Sequence, residues 1–261
     1  MLRCTFLVSA LLAAACAEAA CVPVRIGYMD QDRPPYWLGN GNEVADPPGA
    51  GVEYLRAATA AVLPCPVQWV RLPLARMRSA LQSGEIDFAP LGDRMDYPPE
   101  YALPRDKSGA PDRSRALATN VIMLVRSADH LPADTDTPRY FQDRLIGVPT
   151  GAPYAPSLRA AGYKIDEGGR DLDRNIGKLR LKRIDGVALT VAAPGDMDYA
   201  VASRYGSEVV RLRVPLVTAH IWLVANQNYY VAHREQVEAL WNWMATHQGE
   251  LGALLGKYSR K

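Results

Sequence analysis

Residues 67–91, VQWVRLPLARMRSALQSGEIDFAPL, confine the chain to one class of architecture. Val67, Trp69 and Leu72 form a short apolar run. Pro73 suits the first turn of a helix, where its missing N–H is not needed. Leu74, Met77, Ala80 and Leu81 then share one helical face. Gly84 stands where a helix C-terminus takes a left-handed residue, and Ile86 and Phe88 open a second strand. Strand, helix and strand in so short a span make a parallel pair with a helical crossover, the unit of open α/β sheets. Such sheets bind ligands outside the carboxyl ends of their strands. Arg71, Arg76 and Arg94 therefore stand where ligand contacts are expected.

The flanks extend the pattern. Residues 22–28 read as a strand, and 51–62 as a helix with Val52, Leu55, Ala58, Thr59 and Val62 on one face, ended by Pro64. The loop between them carries Pro34, Pro35, Tyr36 and Trp37; the two aromatics either stack on a ligand or roof the core. After Ala89 the pattern lapses. Pro90, Pro98, Pro99, Pro104 and Pro111 punctuate a charged stretch to 115, and a loop of that length is functional or mobile. Residues 116–126 form a strand. A second α/β block follows: strand 145–148, helix 154–161, helix 172–181, strand 185–190, helix 197–205 and strand 208–214. Thr150-Gly151-Ala152-Pro153 leads into its first helix, where the backbone N–H groups either hold an anion or cap a turn. A strand at 221–225 and helices at 231–246 and 249–258 close the chain. The strands at 116–126 and 208–214 read as crossings between blocks. The expected organisation is one lobe of 21–116 with 215–261, a second of 117–214, and a cleft between them.

A net charge of +2 with acids and bases interspersed argues against nucleic acid or a membrane surface as partner. Residues 1–20 read as a signal peptide: Arg3, an apolar run over 5–15, and Ala17-Glu18-Ala19 before cleavage after Ala19 or Ala20. Ala13-Ala14-Ala15-Cys16 gives a lipid-anchored alternative. Both readings place the protein across the inner membrane, in the periplasm. Of the four cysteines, Cys21 and Cys65 remain after cleavage. Each immediately precedes a strand, and the starts of parallel neighbours lie side by side, which predicts a Cys21–Cys65 disulfide; two separate thiols is the alternative. The chain has no CxxC, no cluster of His with Cys and no nucleophile–His pair, so no metal, cofactor or catalytic residue is expected. His130, His220, His233 and His247 are scattered.

Pro73-Leu74-Ala75-Arg76 followed by Leu81-x-x-Gly84-x-x-Asp87 resembles the family 3 extracellular solute-binding proteins, periplasmic components of polar amino-acid ABC transporters whose relatives serve as sensor domains. Pro35-Tyr36, Ile146-Gly147-Val148-x-x-Gly151 and Leu179-x-x-x-Arg183-x-Asp185 match further motifs in the same order. The resemblance implies a two-lobed, type II periplasmic-binding fold, each lobe an open mainly parallel sheet flanked by helices, with two crossings. Family members that bind α-amino acids place Thr or Ser where Ala152 stands, and an acidic residue for the ammonium where Thr190 stands. The family's Thr-x-x-Arg carboxylate clamp is missing, with Arg94 nearby.

The function expected is capture of a small polar ligand in the interlobe cleft by a monomer, for an ABC permease. Tyr36, Trp37, Arg76, Arg94, Gly151, Ala152, Tyr154 and Thr190 are the candidate contacts. Arg76 and Arg94 each have a surface alternative, as a solvated helix arginine and a surface ion pair. Two other functions fit the same fold: a periplasmic sensory or accessory protein acting through a membrane sensor, and a small-molecule dehydratase.

Overall fold

In the computed structural model, which describes residues 21–92 and 97–259, a single curled sheet runs through the whole molecule. In chain order its first elements are β1 (Val24–Met29), α1 (Ala50–Val62), β2 (Val67–Leu72), α2 (Leu74–Ser83), β3 (Phe88–Gly92), β4 (Tyr101–Ala102) and β5 (Leu117–Arg126). Then come α3 (Thr137–Tyr140), β6 (Leu145–Pro149), α4 (Ala155–Ala160), β7 (Lys164–Gly169), α5 (Leu172–Arg180), β8 (Gly186–Val191), α6 (Asp198–Tyr205) and β9 (Val209–Arg211). The chain finishes with β10 (Val217–Asn226), α7 (Gln227–Ala232), α8 (Arg234–Thr246) and α9 (Gln248–Tyr258).

The strand order is β2-β1-β3-β10-β5-β8-β6-β7, with β4 on β10 and β9 on β5. β1 is parallel to β2 and β3, and β6 is parallel to β7 and β8. Two parallel half-sheets are thus joined by two long strands that run antiparallel to their neighbours. β10 pairs with β3 over Ile221–Ala225 and with β5 over Val217–Ile221, while β5 goes on to pair with β8 over Asn120–Leu124.

Each half-sheet is covered on both faces, as parallel sheets require. In the first half, Tyr54, Leu55, Phe88, Leu240 and Trp241 form a core under α1, α8 and α9, while Met77, Leu81, Ile86 and Trp222 form another under α2. In the second half, Phe141, Val148, Leu158 and Ala188 pack on one face, and Ile176, Leu179, Val201 and Tyr205 on the other.

The central expectation holds at 67–91. Strand, helix and strand occur there in order, and Gly84 takes φ 76° at the end of α2 with its N–H on the Leu81 carbonyl. Asp87 holds the Arg25 backbone N–H at 2.8 Å and its guanidinium at 2.6 Å, and Asp185 holds the Leu145 N–H at 2.8 Å. Both aspartates fix strand ends.

Two expectations need correction. The second crossing is not the strand at 208–214. β9 has three residues on the edge of β5, and the crossing is β10, which begins at Val217, before the apolar run at 221–225. Thr218 and His220 broke its apolar pattern. The stretch to 115, expected as functional or mobile, is also not a loose loop in its described part. Arg115 bonds Asp112 at 2.8 Å and Glu238 of α8 at 2.5 Å, and the Trp222 indole donates to the Asp112 carbonyl at 2.9 Å. The sequence reading missed β7 altogether, because KIDEGG is an edge strand with one large apolar residue.

The disulfide forms. Cys21 and Cys65 are bonded with Cα atoms 5.4 Å apart, at the shared start of β1 and β2. The bond closes a 44-residue separation, for which the chain-entropy model gives about 4 kcal/mol. The double variant C21S/C65S is expected to lose about 2–4 kcal/mol of unfolding free energy in a non-reducing denaturant titration; an unchanged midpoint would count against a stabilising bond.

Glu53 of α1 ties down α9. It accepts from the Tyr258 hydroxyl at 2.5 Å and from the Lys257 ammonium at 3.1 Å. The Tyr258 hydrogen bond, aided by Lys257, holds its carboxyl below the ordinary 4.5. A lowered folded value means that the stabilisation is complete above 4.5 and is lost as pH falls through that lowered value. E53Q should therefore flatten the acid limb of melting temperature against pH, and identical acid limbs in the two proteins would contradict the assignment.

Candidate functional site

The loop after β1 is mounted from below by a buried cation. Arg71 on β2 is 3% exposed. Its guanidinium donates to the carbonyls of Met29 at 3.3 Å, Glu43 at 2.8 Å and Gly39 at 2.5 Å, and lies 5.3 Å from the Tyr28 ring centroid. A buried charge is tolerated only when it is hydrogen-bonded, and three carbonyls with one aromatic face meet that need. The role is structural. Arg71 borders neither cavity described below.

Residues 33–37 form a tight turn, with the N–H groups of Arg33 and Trp37 donating to each other's carbonyls. The turn sits on the start of α1, where Ala50 and Gly51 donate to the carbonyls of Pro35 and Tyr36. The Trp37 ring lies flat against Gly51, where a Cβ would stand 2.6 Å from the indole. Only glycine leaves room for that ring.

From this mount the loop reaches the other half-sheet. The Arg33 guanidinium donates to the Thr190 carbonyl and, at 3.1 Å, to its hydroxyl. Tyr36 donates to the Asp196 carboxylate at 2.5 Å and accepts from the Ala192 N–H at 2.6 Å. Asp30 pairs with Arg170 at 3.0 Å, and Asp32 with Arg204 at 3.4 Å. Burial, then the Asp196 contact, pushes the Tyr36 hydroxyl far above its usual range, and burial does the same for Tyr154. Both remain protonated donors; the Tyr154 hydroxyl is committed to the Ala188 carbonyl at 2.7 Å.

Between the halves lie two adjoining cavities of about 100 and 90 Å³. They share walls at Arg33, Trp37, Pro90, Thr190 and Ile221. The first extends to Leu74 and Met77 of α2 on one side and to Tyr154, Met197 and Val201 on the other. The second runs inward to Tyr54, Leu55, Thr119 and Met244. The first cavity lies at the carboxyl ends of β1, β3, β6 and β8, where open α/β sheets hold ligands.

The structure gathers Trp37, Ala152, Tyr154 and Thr190 around the first cavity, and Tyr36 around the second. Tyr36 has its hydroxyl tied to the opposite half and does not offer a free stacking face in the first. Arg76 takes its surface alternative: it pairs with Glu85 at 2.9 Å, well exposed, away from both cavities. Arg94 and the signal peptide fall outside the described residues. Of the two readings of 150–153, anion site or turn, the structure shows the turn. Its N–H groups are used internally, by Gly169, Glu167 and Pro149 acceptors, and α4 is six residues long. Gly151 serves differently. At φ +78 it lies on the start of α2, where a Cβ would stand 2.6 Å from the Ala75 nitrogen. It is a point of contact between the halves.

The sequence reading missed Arg33, Asp30, Arg170 and Arg204. Arg33 alone carried a signal, as the base next to Pro34-Pro35 in a loop already marked. Among the described residues no group of three or more His, Cys, Asp or Glu is placed to hold a metal ion, and no helix is long and apolar enough to cross a membrane.

No protein-family model and no curated protein sequence matches the chain. Solved structures do. An amino acid ABC transporter substrate-binding protein, AbpA of Streptococcus pneumoniae bound to L-arginine, has a TM-score of 0.65 at 14% identity, covering 91% of this chain and 94% of that one. The chain has the type II periplasmic-binding fold. The periplasmic VFT2 domain of Bordetella pertussis BvgS gives 0.64 at 15% identity, covering 90% and 92%, and the GluR0 ligand-binding core of Nostoc punctiforme with L-glutamate gives 0.60 at 16%, covering 90% and 97%. The resemblance to family 3 solute-binding proteins is met in the fold. At these identities it carries no ligand across.

The Gly151 contact generates a prediction for this binding fold. G151A places a methyl against backbone at α2 and adds left-handed strain of about 1–3 kcal/mol. It should hold the halves apart, giving a larger radius of gyration by small-angle scattering than wild type under the same conditions; equal radii would show that the contact does not set the spacing.

Proposed function

We propose that the protein is an exported solute-binding protein that captures a small molecule between two lobes, residues 21–116 with 215–261 and residues 117–214, for an ABC permease. The observation that carries this reading is the pair of cavities at the strand ends between the half-sheets, with one loop touching both walls. A cavity there explains why Arg33, Tyr36 and Asp32 leave one half to bond the other.

In this reading β5 and β10 are the connections about which the lobes swing. Both are long and central, so bending them costs few side-chain contacts compared with separating either core. Closure around a ligand is an established motion for two lobes joined this way. The open form loses the Arg33–Thr190, Tyr36–Ala192 and Asp30–Arg170 contacts, and ligand binding restores them. No step in this cycle requires a catalytic group.

The wall chemistry sharpens the ligand from polar to largely apolar, because Met, Leu, Pro and Val side chains dominate the first cavity. A ligand at a hundred times its Kd adds about 2.7 kcal/mol to the folded state, worth about 5–10 °C in a domain of this size. A thermal-shift screen of small acids, amino acids, amines and sugars, followed by scattering on each hit, tests the proposal. At least one hit should lower the radius of gyration. If every bound ligand leaves the radius unchanged, capture by lobe closure is wrong.

A further inference from the structure

We propose that the cleft selects a compact apolar monocarboxylate, and that Arg33 is its anchor. The inference rests on the solute-binding reading above and names the ligand's chemistry.

Among the described side chains bordering the first cavity, the charged groups are Asp32, Arg33 and Arg204. Asp32 and Arg204 pair with each other at 3.4 Å, Arg204 also meets Asp173 at 3.1 Å, and Asp32 accepts the Gly39 N–H at 2.9 Å. Arg33 is the remaining charge. Among the described residues it meets no carboxylate; its guanidinium rests on the carbonyl and hydroxyl of Thr190, which are neutral acceptors. Its Nε is buried and has no partner. A guanidinium is built to hold a carboxylate by two parallel N–H bonds, and Arg33 borders both cavities, so a carboxylate there would be reached from either side.

The second polar clue lies deeper. Thr119 on β5 is 5% exposed, borders the inner cavity, and its hydroxyl has no partner. A buried hydroxyl without a partner is costly, and an acceptor on a bound molecule would satisfy it. Around these two groups the walls are largely apolar: Met29, Leu74, Pro90 and Ile221 in the first cavity, Leu55 and Met244 in the second.

Size sets the rest. An apolar cavity of about 150 Å³ takes a benzene-sized molecule. Only taken together do the two adjoining cavities here, about 100 and 90 Å³, exceed that, which calls for one ring or one branched chain with a single head group, not a long chain. For an ammonium the cavities offer no unpaired carboxylate among their described lining residues. Asp30 has a buried oxygen without a partner, but its other oxygen is held by Arg170 and it borders neither cavity.

The test uses matched trios on the full mature protein, stripped of carried ligand by unfolding and refolding: 3-phenylpropionate, phenylalanine and 3-phenylpropanamide, then 4-methylpentanoate, leucine and 4-methylpentanamide. Titration calorimetry reads affinity and scattering reads closure. The carboxylate should bind at least about tenfold more tightly than its amide or its amino acid, the scale of one hydrogen-bonded charge. R33M should lose about 10- to 100-fold in carboxylate affinity and bring the carboxylate-to-amide ratio toward one. R33K keeps the charge without the fork and should lose less, and serves if R33M folds poorly. R76A, away from both cavities, should bind as wild type. An amino acid that binds as well as its des-amino partner, a carboxylate-to-amide ratio untouched in R33M and R33K, or no binding by either carboxylate overturns the ligand assignment. In those cases compaction by any other ligand leaves the solute-binding reading standing, and its absence with every ligand overturns that reading too.

Discussion

The antiparallel pairing of β5 with β10, Leu117–Val121 against Ile221–Val217, is the interaction on which the other features depend. It is the seam at which two parallel half-sheets become one sheet. Each of the two strands belongs to both halves: β10 continues onto β3, and β5 continues onto β8. The hydrophobic cores divide at the same place, with Phe88 and Trp241 on one side and Phe141 and Ile176 on the other. Parallel strands point their carboxyl ends the same way within each half. Joined by an antiparallel seam, the two halves turn those ends toward a common space. The cavities follow from the topology before any particular side chain is considered.

Polar contacts across that space come mostly from one loop. Asp30, Asp32, Arg33 and Tyr36 lie within seven positions, and each bonds a different point of the opposite half. Such contacts are partly buried, and a typical hydrogen bond of this kind contributes about 0.5–1.5 kcal/mol net. Their concentration means that the two halves are registered beside the cavities, not at a remote interface. In the proposed cycle the same few bonds would report both closure and occupancy.

How much of this was legible in the sequence depended on what each residue's role left in the local pattern. The βαβ unit at 67–91 was readable because Leu74, Met77 and Leu81 repeat at helical spacing and Gly84 marks the stop. The disulfide was readable because both cysteines precede strands. β10 was foreshortened because Thr218 and His220 face an environment that tolerates polarity beside β5, and β7 was lost because an edge strand needs little apolar surface. The candidate site was half visible. Trp37 and Tyr154 came from their places after strands, and Ala152 and Thr190 from the family resemblance, whereas Arg33 meets Thr190 from 157 positions away, and no local periodicity encodes such a contact. Arg76 misled for the opposite reason. Its place after a strand is right, but Glu85, near in sequence and in space, claims its charge.

Arg71 has one more consequence. It holds the loop over 30–49 through main-chain carbonyls of Met29, Gly39 and Glu43, and every residue type supplies a carbonyl. The support is therefore blind to the side chains it carries. Residues on the loop can be exchanged while the scaffold beneath stays constant, so in the proposed binding role ligand preference can drift, one loop substitution at a time, without re-solving the fold.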